Sequence, residues 1–209
     1  RLCGPAKYYS MDPFHEGGST EGVDLAGAGS IITRAMKRAN PEAVWVIQGW
    51  NENPREELLR GIGKGDVVVL DLASEIKPNW GDPDSPSLTK RADGYGEHDW
   101  MYCMLLNFGG NVGLHGRFDN VTGGFYKARG SKYNSTLTGV GLTPEGVENN
   151  PMMYELFSEL MWRPEGVDKR QWLRSYAKAR YGGQSTSDVD KAWDRLAATI
   201  YNCPVSYTH

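Results

Sequence analysis

Short apolar runs and amphipathic segments alternate along the first two thirds of the chain. Residues 43–48, 66–71, 100–106 and 135–142 are apolar runs of strand length, and a β-prone segment at 7–11 precedes them. Such runs, without strict alternation of polar and apolar residues, are typical of strands buried on both faces of a parallel sheet. Strands joined by helices over short connections predict an α/β fold, with a parallel sheet covered by helices.

Two helices are predicted between the first three of these strands. Residues 25–39 carry apolar side chains, among them Ile31 and Met36, at helical spacing, and Pro41 ends the segment. Residues 54–62 form a shorter helix. Each helix therefore connects two parallel strands, as in a βαβ unit.

The pattern changes after residue 149, where helical periodicity replaces the strand runs. Helices are predicted at 151–162, 168–181 and 187–201, with no strand between the last two. Asp168 is a typical helix cap, and two glycines after residue 181 end that helix. We expect two parts: residues 1–150, the C-terminal part of a (β/α)8 barrel, and residues 151–209, the start of an all-helical domain.

Chemically distinctive residues follow each predicted strand, namely Glu16, Trp50, Asp71, Asn107 and Glu145. A (β/α)8 barrel, whose active site lies at the carboxyl ends of its strands, predicts this distribution. A closed barrel has eight strands and about five are recognisable here. We therefore expect the C-terminal half of a barrel, with the other strands upstream of residue 1. No Gly-x-Gly-x-x-Gly turn follows the first strand, which disfavours a dinucleotide-binding fold.

Composition narrows the possible partners. The chain has 209 residues and a formal net charge of −3, without a basic stripe, so nucleic acid is not an expected partner. No apolar run approaches the roughly 18 residues of a membrane span. The three cysteines match no metal-binding spacing. Seven Trp and eleven Tyr fit either core packing or a sugar site, since aromatic rings stack on the C–H face of pyranoses.

Glu16 and Glu145 lie in glycine-rich turns between a predicted strand and a predicted helix. Two carboxylates at strand ends suggest the acid/base and nucleophile pair that cleaves glycosidic bonds. The aromatic and imidazole neighbours of Glu16 could raise its pKa, as a proton donor near neutral pH requires. The alternative is structural: each could be a carboxylate that caps a helix or interacts with its dipole.

Other polar and aromatic residues near the strand ends are candidate sugar contacts. His15 could bond substrate or Glu16, since a metal site would need further ligands and no His-Glu-x-x-His motif occurs. Trp50 could be a stacking platform or a core residue, and Asn107 could bond sugar hydroxyls or satisfy its turn. The further candidates are Asp71 and Glu75, which could instead hold basic side chains, and Trp100, beside the long polar stretch 74–96.

Four motifs together resemble the α-N-acetylglucosaminidases, glycoside hydrolase family 89, in order along most of the chain. The motifs are Phe14-His15-Glu16, Val46-Ile47-Gln48-Gly49-Trp50, Leu106-Asn107-Phe108-Gly109-Gly110-Asn111 and Gly141-Leu142-Thr143-Pro144-Glu145-Gly146. His15 departs from the family's human type, which has asparagine at that place.

The resemblance implies a (β/α)8 barrel followed by a helical domain, and a retaining exo-mechanism on terminal α-linked N-acetylglucosamine. It implies that Glu16 is the acid/base, that Glu145 is the nucleophile and that Trp50 lines the sugar pocket. It implies no metal and no cofactor, a glycan or glycosaminoglycan as substrate, the rest of a parent chain as partner, and a location outside the cytoplasm.

Two rival functions stay open at this point. An open half-barrel could be an inactive or non-catalytic carbohydrate-binding segment, because it holds part of a pocket and exposes sheet edges. A different α/β hydrolase with an Asp or Ser nucleophile is disfavoured, because the chain has no Gly-x-Ser-x-Gly elbow.

Overall fold

A computed structural model describes residues 6–14, 19–87, 91–109, 114–146, 150–183 and 185–203. It contains five strands: β1 (Tyr8–Ser10), β2 (Val44–Gly49), β3 (Val67–Asp71), β4 (Asp99–Met104) and β5 (Leu137–Leu142). It contains six α-helices: α1 (Leu25–Ala39), α2 (Glu56–Arg60), α3 (Phe118–Arg129), α4 (Pro151–Glu159), α5 (Lys169–Arg180) and α6 (Ser187–Ala198). Short 3-10 helices occur at Lys132–Thr136, Leu160–Trp162 and Ile200–Asn202.

The five strands form one parallel sheet in the order β1-β2-β3-β4-β5. Each strand therefore pairs with the next strand in sequence, as in a singly wound barrel wall. The predicted parallel sheet with covering helices is confirmed, as is the partial barrel followed by helices.

One face of the sheet is buried under the helices. Alternate residues of the three central strands make this face: Trp45, Ile47, Val67, Val69, Trp100, Tyr102 and Met104. Tyr102 contacts Phe125 of α3 edge-on, at a ring distance of 5.8 Å, and stacks on Phe157 of α4 at 6.2 Å. These aromatic contacts join the sheet to the helices on both sides of the predicted domain boundary.

The opposite face is also apolar but is half-buried. Val46, Val68, Leu70 and Met101 lie between the fully buried positions of their strands. On β5, Gly141 lies so near Cys103 that an added Cβ would be 2.8 Å from its Sγ. A sheet that is apolar on both faces is typical of a barrel wall, whose inner face packs against the other strands.

Helix α3 was not expected, and its glycines explain why. Gly123 and Gly124 in mid-helix weaken the sequence signal, because glycine lowers helix propensity. The structure shows why glycine fits there: a Cβ at Gly124 would collide with the Tyr102 hydroxyl. The buried residues of α3, among them Val121 and Phe125, still recur at helical spacing.

Helix α1 has the expected bounds and packs Met36 against the core as predicted, but Ile31 lies outside it. Ile31 is 60% exposed, whereas Gly29 and Thr33 are buried. The reason is the close approach of α2, since a Cβ on Gly29 would lie 2.5 Å from the Leu58 carbonyl oxygen. Small residues therefore make the contact between the two helices, and the larger Ile31 stays outside.

Aromatic rings hold the C-terminal helices together. Tyr176 stacks on Trp172 at 5.3 Å and meets Trp193 edge-on at 5.1 Å, and Trp193 stacks on Tyr201 at 6.1 Å. Asp168 caps α5 by accepting from the backbone N–H of Gln171, as predicted. No helix of the described residues is both long enough and apolar enough to span a bilayer. The division of the chain at residue 150 stays a prediction.

Candidate active site

The carboxyl ends of the five parallel strands lie along one edge of the sheet, and their loops are tied to one another. After β1, Asp12 Oδ1 accepts from Gln48 N at 2.7 Å. After β5, Thr143 Oγ1 donates to the Leu72 carbonyl at 2.7 Å, beyond the end of β3. Hydrogen bonds therefore link the loops that follow different strands along this edge of the sheet.

Glu145 lies at this edge with an exposed side chain. Its Oε2 accepts from Gly109 N at 2.7 Å, and its own N–H donates to the Asn107 carbonyl at 2.9 Å. Gly109 has a φ of +61°, which glycine adopts at little cost. The hydrogen bond from Gly109 therefore fixes one oxygen of the Glu145 carboxylate at the sheet edge.

Asn107 is buried, with 3% of its surface exposed, and it follows a tight turn. Leu106 has a φ of +48°, and Asn107 N donates to the Leu105 carbonyl at 2.5 Å. The backbone of Asn107 therefore holds the Glu145 loop, whatever its side chain does. A contact of that side chain with sugar stays a prediction.

Glu75 is nearly fully buried, at 1% exposed, in the segment after β3. Its Oε1 accepts from two consecutive backbone N–H groups, Leu105 N at 3.1 Å and Leu106 N at 2.8 Å. The sequence suggested a sugar ligand or a partner for a basic side chain. In the structure one oxygen of this carboxylate binds the turn after β4, and the sugar contact of Glu75 stays a prediction.

Asp71 ends β3 and has no exposed surface. Burial raises its pKa to about 7, although hydrogen bonds from the Asn79 and Trp80 backbone and the charge of Arg91 oppose the rise. Its Oδ2 accepts from Asn79 N at 2.9 Å, and Ser87 donates to the Asn79 side chain at 2.8 Å. In this structure Asp71 orders the segment after β3, and direct binding of sugar by Asp71 stays a prediction.

The two tryptophans predicted near the site lie in different environments. Trp50 is half-buried just after β2, where its backbone pairs with Asn53. Trp100 is 1% exposed and stacks on Trp80 at 5.8 Å, and its Nε1 donates to the Tyr133 carbonyl at 3.2 Å. Trp50 thus lies just beyond the end of β2, whereas Trp100 packs in the core on the helix-facing side of β4. A role of Trp50 or Trp100 in binding sugar stays a prediction.

His15 and Glu16 lie outside the described residues. The separation of the two predicted catalytic carboxyl groups therefore stays a prediction. Among the residues that the structure describes, no group of three or more His, Cys, Asp or Glu side chains is placed to hold a metal ion.

One cavity among the described residues lies away from this edge. It has a volume of about 950 Å³ and is lined by polar residues of α3, α5 and the segment between α4 and α5, including Arg129 and Arg163. It contains none of the residues at the carboxyl ends of the strands. The candidate site is therefore the sheet edge around Glu145, at the carboxyl ends of the strands.

Comparison with known proteins decides the family. The family model for the "Alpha-N-acetylglucosaminidase (NAGLU) tim-barrel domain" matches residues 1–164, and the model for the C-terminal domain of the same family matches residues 172–209. The chain belongs to the α-N-acetylglucosaminidase family. The resemblance carried by the four motifs is thereby confirmed.

The relatives of this family member are glycosidases. The chain is 37% identical to human α-N-acetylglucosaminidase over 207 residues, covering 93% of this chain and 26% of the human protein. A family 89 glycoside hydrolase from Clostridium perfringens in complex with PUGNAc is 32% identical, with a TM-score of 0.81 over 96% of this chain and 21% of that one.

A second structure from the same bacterium holds the enzyme's substrate, GlcNAc-α-1,4-galactose. It is 32% identical to this chain and matches with a TM-score of 0.78, over 93% of this chain and 21% of that one. The chain thus spans about a quarter or less of the length of these relatives.

Proposed function

We propose that this chain is part of a retaining exo-glycosidase that removes terminal α-linked N-acetylglucosamine from glycans. The observation that carries the proposal is Glu145, an exposed carboxylate at the carboxyl edge of a parallel sheet, held by Gly109 and Asn107. Membership of the α-N-acetylglucosaminidase family supports it. So does the relative whose substrate is GlcNAc-α-1,4-galactose.

In the proposed mechanism Glu145 is the nucleophile and Glu16 is the acid/base. The Glu145 carboxylate attacks the anomeric carbon while Glu16 gives its proton to the leaving oxygen, and a glycosyl-enzyme ester forms. Glu16 then takes a proton from water, which attacks the same carbon and releases Glu145. Two inversions give N-acetylglucosamine with the α configuration retained.

The hydrogen bond from Gly109 to Glu145 serves this mechanism in two ways. It orients one carboxylate oxygen and leaves the other for the sugar. It also makes Glu145 a better leaving group in the second step, because the donor stabilises the carboxylate that is released. Trp50, half-buried at the end of β2 and two strands away from β4, would supply the apolar surface of the pocket.

The wider assignments are part of the same proposal. The barrel portion comprises residues 1–150 and the helical domain begins at 151. The remaining barrel strands belong to a longer polypeptide, which acts on a glycan outside the cytoplasm. The half-buried apolar inner face of the sheet supports the proposal of further strands, because an isolated sheet would leave this face in contact with water.

A second candidate applies to the chain by itself: a non-catalytic carbohydrate-binding segment. It is favoured by the exposure of β1, where Tyr8 is 58% exposed and Tyr9 40%. Exposed aromatic rings on an edge strand could stack on a sugar without a catalytic group beside them. This candidate predicts sugar binding without turnover by this chain.

The test is hydrolysis of an aryl α-N-acetylglucosaminide by this chain and by the longer polypeptide. In the active form, Glu145→Gln and Glu16→Gln should each lower kcat by about 10³-fold or more, since each removes a group that acts in the reaction. Glu97→Gln is the matched control, because the Glu97 side chain is 84% exposed and pairs only loosely with Lys64 at 4.0 Å.

The stereochemistry of the product completes the test. Proton NMR during the first minutes of turnover should show α-N-acetylglucosamine before mutarotation. Initial release of the β anomer would contradict the retaining mechanism. Full activity in either carboxylate variant would contradict the role assigned to that residue. Turnover by the short chain would exclude the binding-segment alternative.

A further inference from the structure

The turn after β4 has a backbone conformation that needs support. Leu106 has a φ of +48°, in the left-handed region that residues with a Cβ rarely adopt. Asn107 N donates to the Leu105 carbonyl at 2.5 Å, so the chain reverses within three residues. Such a conformation persists when surrounding groups hold it in place.

Glu75 supplies that support on the N–H side of the turn. One carboxylate oxygen accepts from both Leu105 N and Leu106 N, at 3.1 and 2.8 Å, and the residue is 1% exposed. Hydrogen bonds of backbone N–H groups to a carboxylate are stronger than those to a neutral acceptor. Two consecutive amides bound to one oxygen leave the turn little rotational freedom.

The same turn holds Glu145 at two points. The carbonyl of Asn107 accepts from Glu145 N at 2.9 Å, and Gly109 N donates to Glu145 Oε2 at 2.7 Å. The first bond fixes the backbone of Glu145 and the second fixes its carboxylate. A shift of the turn would therefore move the carboxylate relative to a bound sugar.

We propose that Glu75 is a positioning residue for Glu145, which it orients through the turn 105–109. The inference rests on the proposed function, because it assumes that Glu145 attacks the sugar. Glu75 itself contacts backbone rather than reacting atoms. Its effect should appear in the rate of attack and not in the affinity of the pocket.

Other groups hold the carbonyl side of this turn. His115 Nε2 lies 2.9 Å from the Leu106 carbonyl, and the Tyr154 hydroxyl lies 3.5 Å from the Leu105 carbonyl. Removal of the Glu75 carboxylate should therefore loosen the turn without unfolding the chain. This makes the role of Glu75 testable by substitution.

The experiment uses the longer active polypeptide with Glu75→Met, which keeps the length of the side chain without an acceptor oxygen. We expect kcat/KM for an aryl α-N-acetylglucosaminide to fall about 100-fold, the loss that a displacement of about 1 Å can cause. The inhibition constant of the product N-acetylglucosamine should change by less than about 3-fold, because the pocket is intact. Glu75→Gln keeps one acceptor oxygen and should lose only about 3–10-fold.

Leu58→Ala is the control for a general loss of stability. Leu58 is 1% exposed on α2, whose backbone contacts Gly29 of α1, so its truncation should lower the melting temperature and leaves the residues of the turn 105–109 unchanged. At temperatures below its own melting temperature, Leu58→Ala should keep a kcat/KM within about 3-fold of the wild-type value. A loss in Glu75→Met no larger than that of Leu58→Ala would overturn the proposal.

A substrate with a dinitrophenyl leaving group separates nucleophilic attack from acid catalysis. The loss in Glu75→Met should persist with this substrate, since its departure needs no proton from Glu16; disappearance of the loss would overturn the inference. If Glu75→Met does not fold, Glu75→Gln replaces it, and an unchanged kcat/KM in Glu75→Gln would overturn the inference. Activity in Glu145→Gln would instead overturn the proposed function, so the two failures are distinguishable.

Discussion

The buried carboxyl group of Asp71 predicts a specific dependence of stability on pH. It has no exposed surface, and burial raises its pKa from 3.8 to about 7. Between these values the folded protein keeps this proton while the unfolded chain releases it. The native state therefore binds more protons, and the free energy of unfolding falls as pH rises from about 4 to about 7.

The size of the effect follows from the shift of the pKa. A rise of about 3 units at about 1.4 kcal/mol per unit gives an upper value of about 4 kcal/mol. Relaxation around a buried charge reduces this, so we expect about 2–4 kcal/mol. Asp71→Asn keeps an oxygen that can accept from Asn79 N and removes the ionisation, so it should abolish this part of the pH dependence.

The assay is urea unfolding of the wild type and of Asp71→Asn at pH 4.5 and pH 8, followed by tryptophan fluorescence. From pH 4.5 to pH 8, the free energy of unfolding of Asp71→Asn should rise by about 2–4 kcal/mol relative to that of the wild type. Because the quantity is a difference between two variants, contributions that are the same in both proteins cancel. Glu97→Gln, on an exposed side chain, should show a pH-independent difference within about 0.5 kcal/mol.

The result that refutes this reasoning is a constant difference between Asp71→Asn and the wild type at the two pH values. The carboxyl group would then be ionised in the folded protein even at low pH. In that case the hydrogen bonds and the charge of Arg91 would outweigh burial.

Two further predictions concern the helices. Gly61→Ala should destabilise the protein by about 1–3 kcal/mol, because the new Cβ would collide with the Ala26 carbonyl where α2 meets α1. An unchanged melting temperature would contradict that contact. Asp168→Ala should cost about 1 kcal/mol in urea unfolding, because Gln171 N loses its acceptor at the start of α5, and Asp168→Asn should restore most of the loss.

The fold could be predicted from the chain because its signals are local. The apolar runs of β2 and β3 and the periodicity of α5 are each visible within a few residues. Helix α3 was missed because Gly124 is required by a contact with Tyr102, a residue from another element. The exposed position of Ile31 has the same origin, since the packing of α2 on α1 decides which face of α1 is buried.

The sequence predicts at which end of the strands the candidate site lies, but not which hydrogen bonds join its residues. The sequence indicates that Glu75 and Glu145 belong to strand ends, because both follow recognisable strands. It does not indicate that Glu75 binds the amides of Leu105 and Leu106. Nor does it show that Trp100 faces the helices, because a strand buried on both faces has no alternation from which to assign its sides.

The order of the strands bears on how the two proposed catalytic carboxylates meet. Glu16 follows β1 and Glu145 follows β5, and these strands are the two edges of the sheet. Strands four places apart in an eight-stranded barrel lie on opposite walls, about 15 Å apart for strands spaced by about 4.8 Å and tilted by about 36°.

A retaining pair needs its carboxyl groups about 5–5.5 Å apart. Each glutamate must then reach about 5 Å inward from its wall, which is within the length of a side chain on a short loop. Glu145 comes three residues after Leu142, and Glu16 comes six residues after Ser10. In a flat sheet the same strands would be about 19 Å apart along the surface. If both glutamates react as proposed, closure of the barrel, and not either loop alone, would set the distance between them. Activity would then require the strands that close the barrel, although both carboxylates belong to this chain.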